Sequence, residues 1–198
     1  MATAKGEQRR TALVRAAAEL LQGGGLEAVS HRAVAGRAGL PLGATTYYFA
    51  DLTELRRAAV DTLADDDVAR MAAAVEALPA RRRGAAAAAR MIATLLTPDE
   101  YPALVAWYER YVLAAREPLF AAAARRSNAA ALESVTAVLE RSGLTADVPP
   151  HVILAVVDGA VLGALADGAE LTGVRAAAAD ALSMIIGDRP HHRVEDRR

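Results

Sequence analysis

The sequence predicts an all-α protein, and three observations predict it. Alanine and leucine supply most of the apolar positions in a chain that is 54% hydrophobic but only 4% aromatic, and both are strong helix formers. The 8 prolines and 14 glycines fall mostly in short clusters between long apolar-periodic stretches, the punctuation expected between helices. No alternating run of β-branched residues is long enough to demand a strand. At 198 residues the chain has room for one domain or two.

Each element has a local cause. Residues 8–22 put Leu13, Ala16, Ala17, Leu20 and Leu21 on one stripe, with Arg9, Arg10 and Glu19 off it. This predicts an amphipathic first helix, stopped at Gly23-Gly24-Gly25. Ser30 is placed to cap a short second helix, 31–38, whose Val34, Ala35 and Ala38 turn inward. Gly39 supplies a left-handed turn, Pro41 restarts the chain, and a third short helix covers 42–49. Asp51-Leu52-Thr53-Glu54 has capping-box spacing and opens a fourth helix towards Leu78. A fifth, Ala-rich helix covers 81–96. Thr97-Pro98-Asp99-Glu100 then reads as cap, proline and acids at the positive end of a sixth helix, which runs to about Arg116. A seventh spans 119–142. Gly143 and Pro149-Pro150 separate it from an eighth, 151–167, and a ninth runs over about 172–186. The tail from Asp188 is expected to fray.

Composition removes several function classes. With no cysteine there is no disulfide, thiolate nucleophile or cysteine-bound metal. The N-terminus is polar and lacks the apolar core of a signal peptide. The longest apolar stretch, 152–169, contains Asp158 and Asp167, so it reads as a buried helix rather than a membrane span. A cytoplasmic protein is expected. HExxH, a P-loop, GxGxxG after a strand and the glutamate-x-x-histidine of a di-iron bundle are all missing. His151 and Asp158 are seven apart on one helical face, a weak metal pair for which packed or solvated roles serve better, and His191 and His192 lie in the tail. No cofactor, metal or catalytic group is expected. The net charge of −1 conceals an asymmetry: residues 1–60 carry eight Lys/Arg against five Asp/Glu, and residues 61–187 carry 11 against 16. A basic head on an acidic body suits an anion at one end only.

Two short helices joined by a glycine turn and braced by an amphipathic first helix make a helix-turn-helix. The second of the pair would lie in the major groove of double-stranded DNA. Gly43, Ala44, Thr45 and Thr46 are small enough for close approach, and Tyr47 and Tyr48 bring hydroxyls for phosphate and sugar. Arg32 suits a guanine edge or a phosphate, and Ser30 beside a positive helix end suits a phosphate oxygen.

Residues 9–60 resemble the DNA-binding region of the tetracycline-repressor (TetR) family. The likeness is carried by Ala17, Leu20, Leu21, Gly25, Val29-Ser30, Val34-Ala35, Ala38-Gly39-Leu40, Gly43, Phe49 and Leu55, in matching order and spacing. It covers about a quarter of the chain, and Gly39, Gly43 and Phe49 at these offsets are more specific than a generic helix-turn-helix pattern. The resemblance implies DNA-facing positions at Ser30, His31, Arg32, Leu42, Gly43, Ala44, Thr46, Tyr47 and Tyr48. It also implies a two-fold homodimer and a ligand pocket among the fifth to eighth helices. The sequence departs from the family in three places. Thr45 and Thr46 stand where leucine and tyrosine are usual, Pro41 replaces a serine cap, and Leu52 replaces a phosphate-binding lysine.

Four of the eight aromatics, Tyr101, Trp107, Tyr108 and Tyr111, sit in the sixth helix. They fill a core or line an apolar cavity. Under the resemblance, Met91, Leu95, Trp107 and Tyr111 wall a pocket for an apolar or aromatic effector, with Arg110 and Asp158 orienting a polar group. The eighth helix carries Ala155, Gly159, Gly163 and Ala166 at helical spacing, a stripe that lets another helix approach closely. With Leu182, Ile185 and Ile186 of the ninth helix it resembles the family's four-helix dimer interface. The expected plan is a DNA-reading head at 1–52, a sensing and dimerising body at 53–187, and a tail at 188–198. The expected function is a ligand-responsive repressor binding a pseudo-palindromic operator as a homodimer. The alternative is an all-α small-molecule-binding protein or enzyme without DNA function.

Overall fold

A computed structural model describes residues 4–144 and 148–186. Among them it is all-helical, as the sequence predicts: α1 (Ala4–Ala28), α2 (His31–Ala38), α3 (Leu42–Tyr48), α4 (Leu52–Glu76), α5 (Ala85–Leu96), α6 (Tyr101–Arg116), a 3-10 turn (Pro118–Phe120), α7 (Ala121–Ser142), α8 (Pro150–Ala166) and α9 (Leu171–Ser183). The expected tail at 188–198, with His191 and His192, lies outside the described residues.

The contacts gather these helices into two compact units, residues Met1–Ala73 with Pro98–Ala131, and Ala74–Thr97 with the residues from Leu132 onward. The first unit holds α1–α3, most of α4, α6 and the first part of α7. Its core joins Leu13, Ala17 and Leu21 of α1 to Val29, Val34, Phe49, Leu55 and Ala59, all buried. Burying each large apolar side chain here is worth roughly 1.5–3 kcal/mol before entropy is counted. In the second unit α9 packs on both α5 and α8, enclosing Ile92, Ile153, Val161, Val174, Leu182 and Ile186.

Of the helix ends that differ from the sequence reading, three do so for a visible reason. The chain stays coiled past Gly23, and the break comes at Gly24 and Gly25, the latter at φ 64°, where only glycine is at ease. The fifth helix begins at Ala85 rather than 81. The Arg81 and Arg83 amides instead donate to the carbonyls of Arg141 and Ser142, each at 3.0 Å, at the end of α7. Thr97 does not cap the sixth helix. It closes α5, buried, with Oγ1 donating to the Ala93 carbonyl at 2.8 Å and accepting from Arg175 Nε at 2.8 Å. Glu100 stands at the head of α6 instead.

Candidate nucleic-acid interface and ligand cavity

The head is built by caps. Ser30 Oγ accepts from the Ala33 amide at 3.2 Å and starts α2. Gly39 ends it at φ 64°, with Leu40 N donating to the Ala35 carbonyl at 3.0 Å, the left-handed stop that glycine allows. Asp51 and Glu54 form the expected box at the start of α4. Glu54 N donates to Asp51 Oδ1 at 2.8 Å, and Ala50 N donates to Glu54 Oε2 at 2.7 Å. Arg56 then hydrogen-bonds the Val29 carbonyl through Nε at 3.2 Å and through its terminal amine at 3.0 Å, fixing α4 to the turn before α2. Sequence reading missed this arginine, since on a helix face it looks like an ordinary solvated charge.

Between these caps α3 presents a small face. Thr45 is fully buried and donates to the Leu42 carbonyl, whereas Thr46 is exposed. Phe49 is buried under the Arg10 guanidinium, 5.0 Å from its ring centre. Tyr47 is 80% exposed, and Tyr48, edge-on to it at 4.9 Å, is half-buried against the core. Leu42, Gly43 and Arg32 are exposed, Ala44 is half-buried in the core, and half-buried His31 has an enclosed Nδ1 with no hydrogen-bond partner. A Cβ at Gly43 would meet nothing within 4 Å. The fold therefore gives no reason for glycine there, in a helix it weakens by roughly 1 kcal/mol. Leu52 packs against the core cluster, which accounts for an apolar residue at the place where a lysine is usual.

Further along the first unit, α4 carries a row of aspartates that tie it to its neighbours. Asp66 pairs with Arg15 of α1, Asp61 and Asp65 with Arg126 of α7 at 3.0 and 3.2 Å, and Asp67 with Arg110 of α6. The exposed pairs each contribute little. The Asp67–Arg110 pair is different because it is buried. Desolvation pushes the Asp67 carboxyl up to about 6 despite the pull of Arg110 and Arg70, and the same burial lowers the Arg110 guanidinium from its ordinary value. Burial thus outweighs attraction on both partners. Asp67 was missed in the sequence because three successive aspartates read as a solvated face.

The Arg110 guanidinium also lies over Trp107, 5.6 Å from the ring centre, and Trp107 meets Tyr111 at 6.0 Å. Trp107, Arg110 and Tyr111 share a cavity with Val60, Phe120 and Ser127, with only about 10 Å³ of free space, room for one water. Of the expected pocket residues these three are brought together. Met91, Leu95 and Asp158 belong to helices of the second unit.

On α8, Ala155, Gly159, Gly163 and Ala166 are all exposed, beside Leu162 at 49%. A Cβ at Gly159 or Gly163 would meet nothing within 4 Å. The expectation for Leu182 and Ile186 is corrected: both are fully enclosed in the chain's own core and have no surface to offer a partner. The helical period turns Met184, 84% exposed, outward in their place. Among the described residues no helix is long and apolar enough to cross a membrane, and no group of His, Cys, Asp and Glu is placed to hold a metal.

Comparison with known proteins gives this geometry a family. Residues 79–188 match the model of the tetracyclin repressor-like C-terminal domain. The multidrug binding protein EbrR, in its complex with imidazole, is 30% identical over 92% of this chain and 97% of its own, with a TM-score of 0.65. A transcriptional regulator from Streptomyces coelicolor A3(2) is 29% identical, covering 90% of this chain and 98% of its own, at a TM-score of 0.61. Another from Rhodococcus sp. Rha1 is 26% identical over 89% of this chain and 95% of its own, at 0.66. No curated protein matches the sequence. The chain belongs to the TetR family and is a transcriptional regulator.

Proposed function

We propose that the protein is a homodimeric repressor that holds a pseudo-palindromic operator and releases it when a small aromatic molecule binds beside Trp107. The observation that carries the reading is the face of α3. Its Gly43 answers to no neighbour within the chain, and Tyr47 beside it is 80% exposed. A small helix face with an exposed phenol and a nearby free-standing Arg32 suits a major groove flanked by phosphates. In this plan residues 1–52 read DNA and residues 53–187 sense and dimerise, in the cytoplasm and without a cofactor. Solved complexes of EbrR with proflavin, ethidium and malachite green support an aromatic effector. The exposed small stripe of α8 supports a second copy, which would set two recognition helices about 34–36 Å apart on successive turns of DNA.

Ligand and operator must be coupled reciprocally, typically by about 1–3 kcal/mol. The test is a gel shift on the protein's own promoter region over a salt series, followed by effector titration with and without operator, read by Trp107 emission. Salt-sensitive binding, and a weaker effector response on DNA, are expected. A second reading, a ligand-binding protein that has lost DNA function, is favoured by Leu52 in place of a surface cation. Failure to shift any segment of that promoter would select it.

A further inference from the structure

We propose that the Trp107 cavity takes a small aromatic anion, with its carboxylate or phenolate held by Arg110. This rests on the reading of that cavity as the effector site. Its walls divide by chemistry. Val60, Phe120 and Trp107 supply apolar and aromatic surface, whereas Arg110, Tyr111 and Ser127 supply a fixed positive charge and two hydroxyls. Among the described residues no carboxylate lines it. The nearby carboxylate of Asp67 is engaged by one terminal nitrogen of Arg110, and a guanidinium has five donors in a planar fork. The remaining donors can meet a planar anion in two-point fashion, while the stack on Trp107 holds the fork in place. Proflavin, ethidium and malachite green, found in EbrR, are cations, and a cation here would face the like charge of Arg110.

Asp67 is the internal competitor. It takes one donor of Arg110 and places a carboxylate beside any anion that the other donors hold. The free space of about 10 Å³ is far too small for an aromatic ring, so entry must part α6 and α7 from α4. Arg126 of α7 holds Asp61 and Asp65 of α4, and any such parting is felt along α4, the helix that Arg56 ties to the head. Ligand charge and DNA release are thereby linked through one helix.

The experiment is calorimetry of the full chain with 2-naphthoate and with its cationic counterpart 2-naphthylmethylammonium, alongside operator release by each. Naphthoate should bind at least about tenfold tighter, the scale of one charged hydrogen-bond set. Asp67→Asn, which frees Arg110, should tighten naphthoate. The double variant Arg110→Gln with Asp67→Asn removes both charges of the buried pair together, and it should lose the preference. Equal or tighter binding of the ammonium compound, or an unchanged naphthoate affinity in the double variant, overturns the anion proposal. If the ammonium compound binds and releases DNA, the sensor reading survives and only the ligand class falls. If neither compound binds, both fall.

Discussion

α3 and α8 each expose glycine that no neighbour in the chain constrains, yet the surfaces around those glycines are opposites. Gly43 stands one helical turn from exposed Thr46 and Tyr47. Gly159 and Gly163 stand beside Ala155, Leu162 and Ala166. A mostly apolar helix belongs in an interior, yet α8 leaves Ala155, Leu162 and Ala166 exposed. The glycine says that something approaches closely; the side chains around it say what. In the proposed function that is a polar polyanion on α3 and an apolar helix of like kind on α8.

Substitution can break this comparison at either end. The largest effect is expected from Gly163→Leu. Overpacking should cost the dimer about 1–3 kcal/mol, and loss of the tethered second half-site should cut operator affinity further, by a factor on the order of 10²–10⁴. Sedimentation and gel shift read the two losses separately. A dimer as tight as wild type would show that the α8 face has another purpose. Arg32→Ala should weaken DNA binding by about 1–3 kcal/mol if it reads a base. If it meets only a phosphate, all sequences should weaken alike and the salt slope should fall by about one. No change in either removes it from the interface.

Gly43→Ala sharpens the contrast with less energy. It should raise thermal stability, by up to about 1 kcal/mol from helix propensity, while weakening operator binding through the added methyl. A variant that is both more stable and fully active would mean the glycine serves no partner. The smallest effect concerns Asp67. Its carboxyl sits at about 6 in the fold against an ordinary 3.8, so its contribution is favourable below about 3.8 and is lost as pH rises through about 6. The stability difference between wild type and Asp67→Asn should therefore shift in favour of wild type as pH falls from 7 to 4. A pH-independent difference in denaturation midpoints would show that Asp67 is not desolvated.

How much of this was legible depended on distance along the chain. Ser30, Gly39, and Asp51 with Glu54 act on amides within a few residues, and each was read correctly from spacing alone. Thr97 was misassigned because its real partner, Arg175, is 78 positions away. Arg56 and Asp67 were overlooked for the same reason, since a charge on a helix face looks solvated until the helix that covers it is known. Leu182 and Ile186 show the limit of apolar pattern: it marks positions that avoid water without saying whether the same chain or another hides them.

The sequence by itself determined the all-α class, the caps of the head and the small-residue stripes, because these follow from backbone geometry and the helical period. Only the tertiary structure decided which tyrosine of the pair projects, which apolar residues at and just past the end of α9 remain on the surface, and that Arg110 spans Trp107 and Asp67. Those outcomes depend on desolvation and on packing between helices far apart in sequence, where burial, rather than residue type, sets the charge and reach of a side chain.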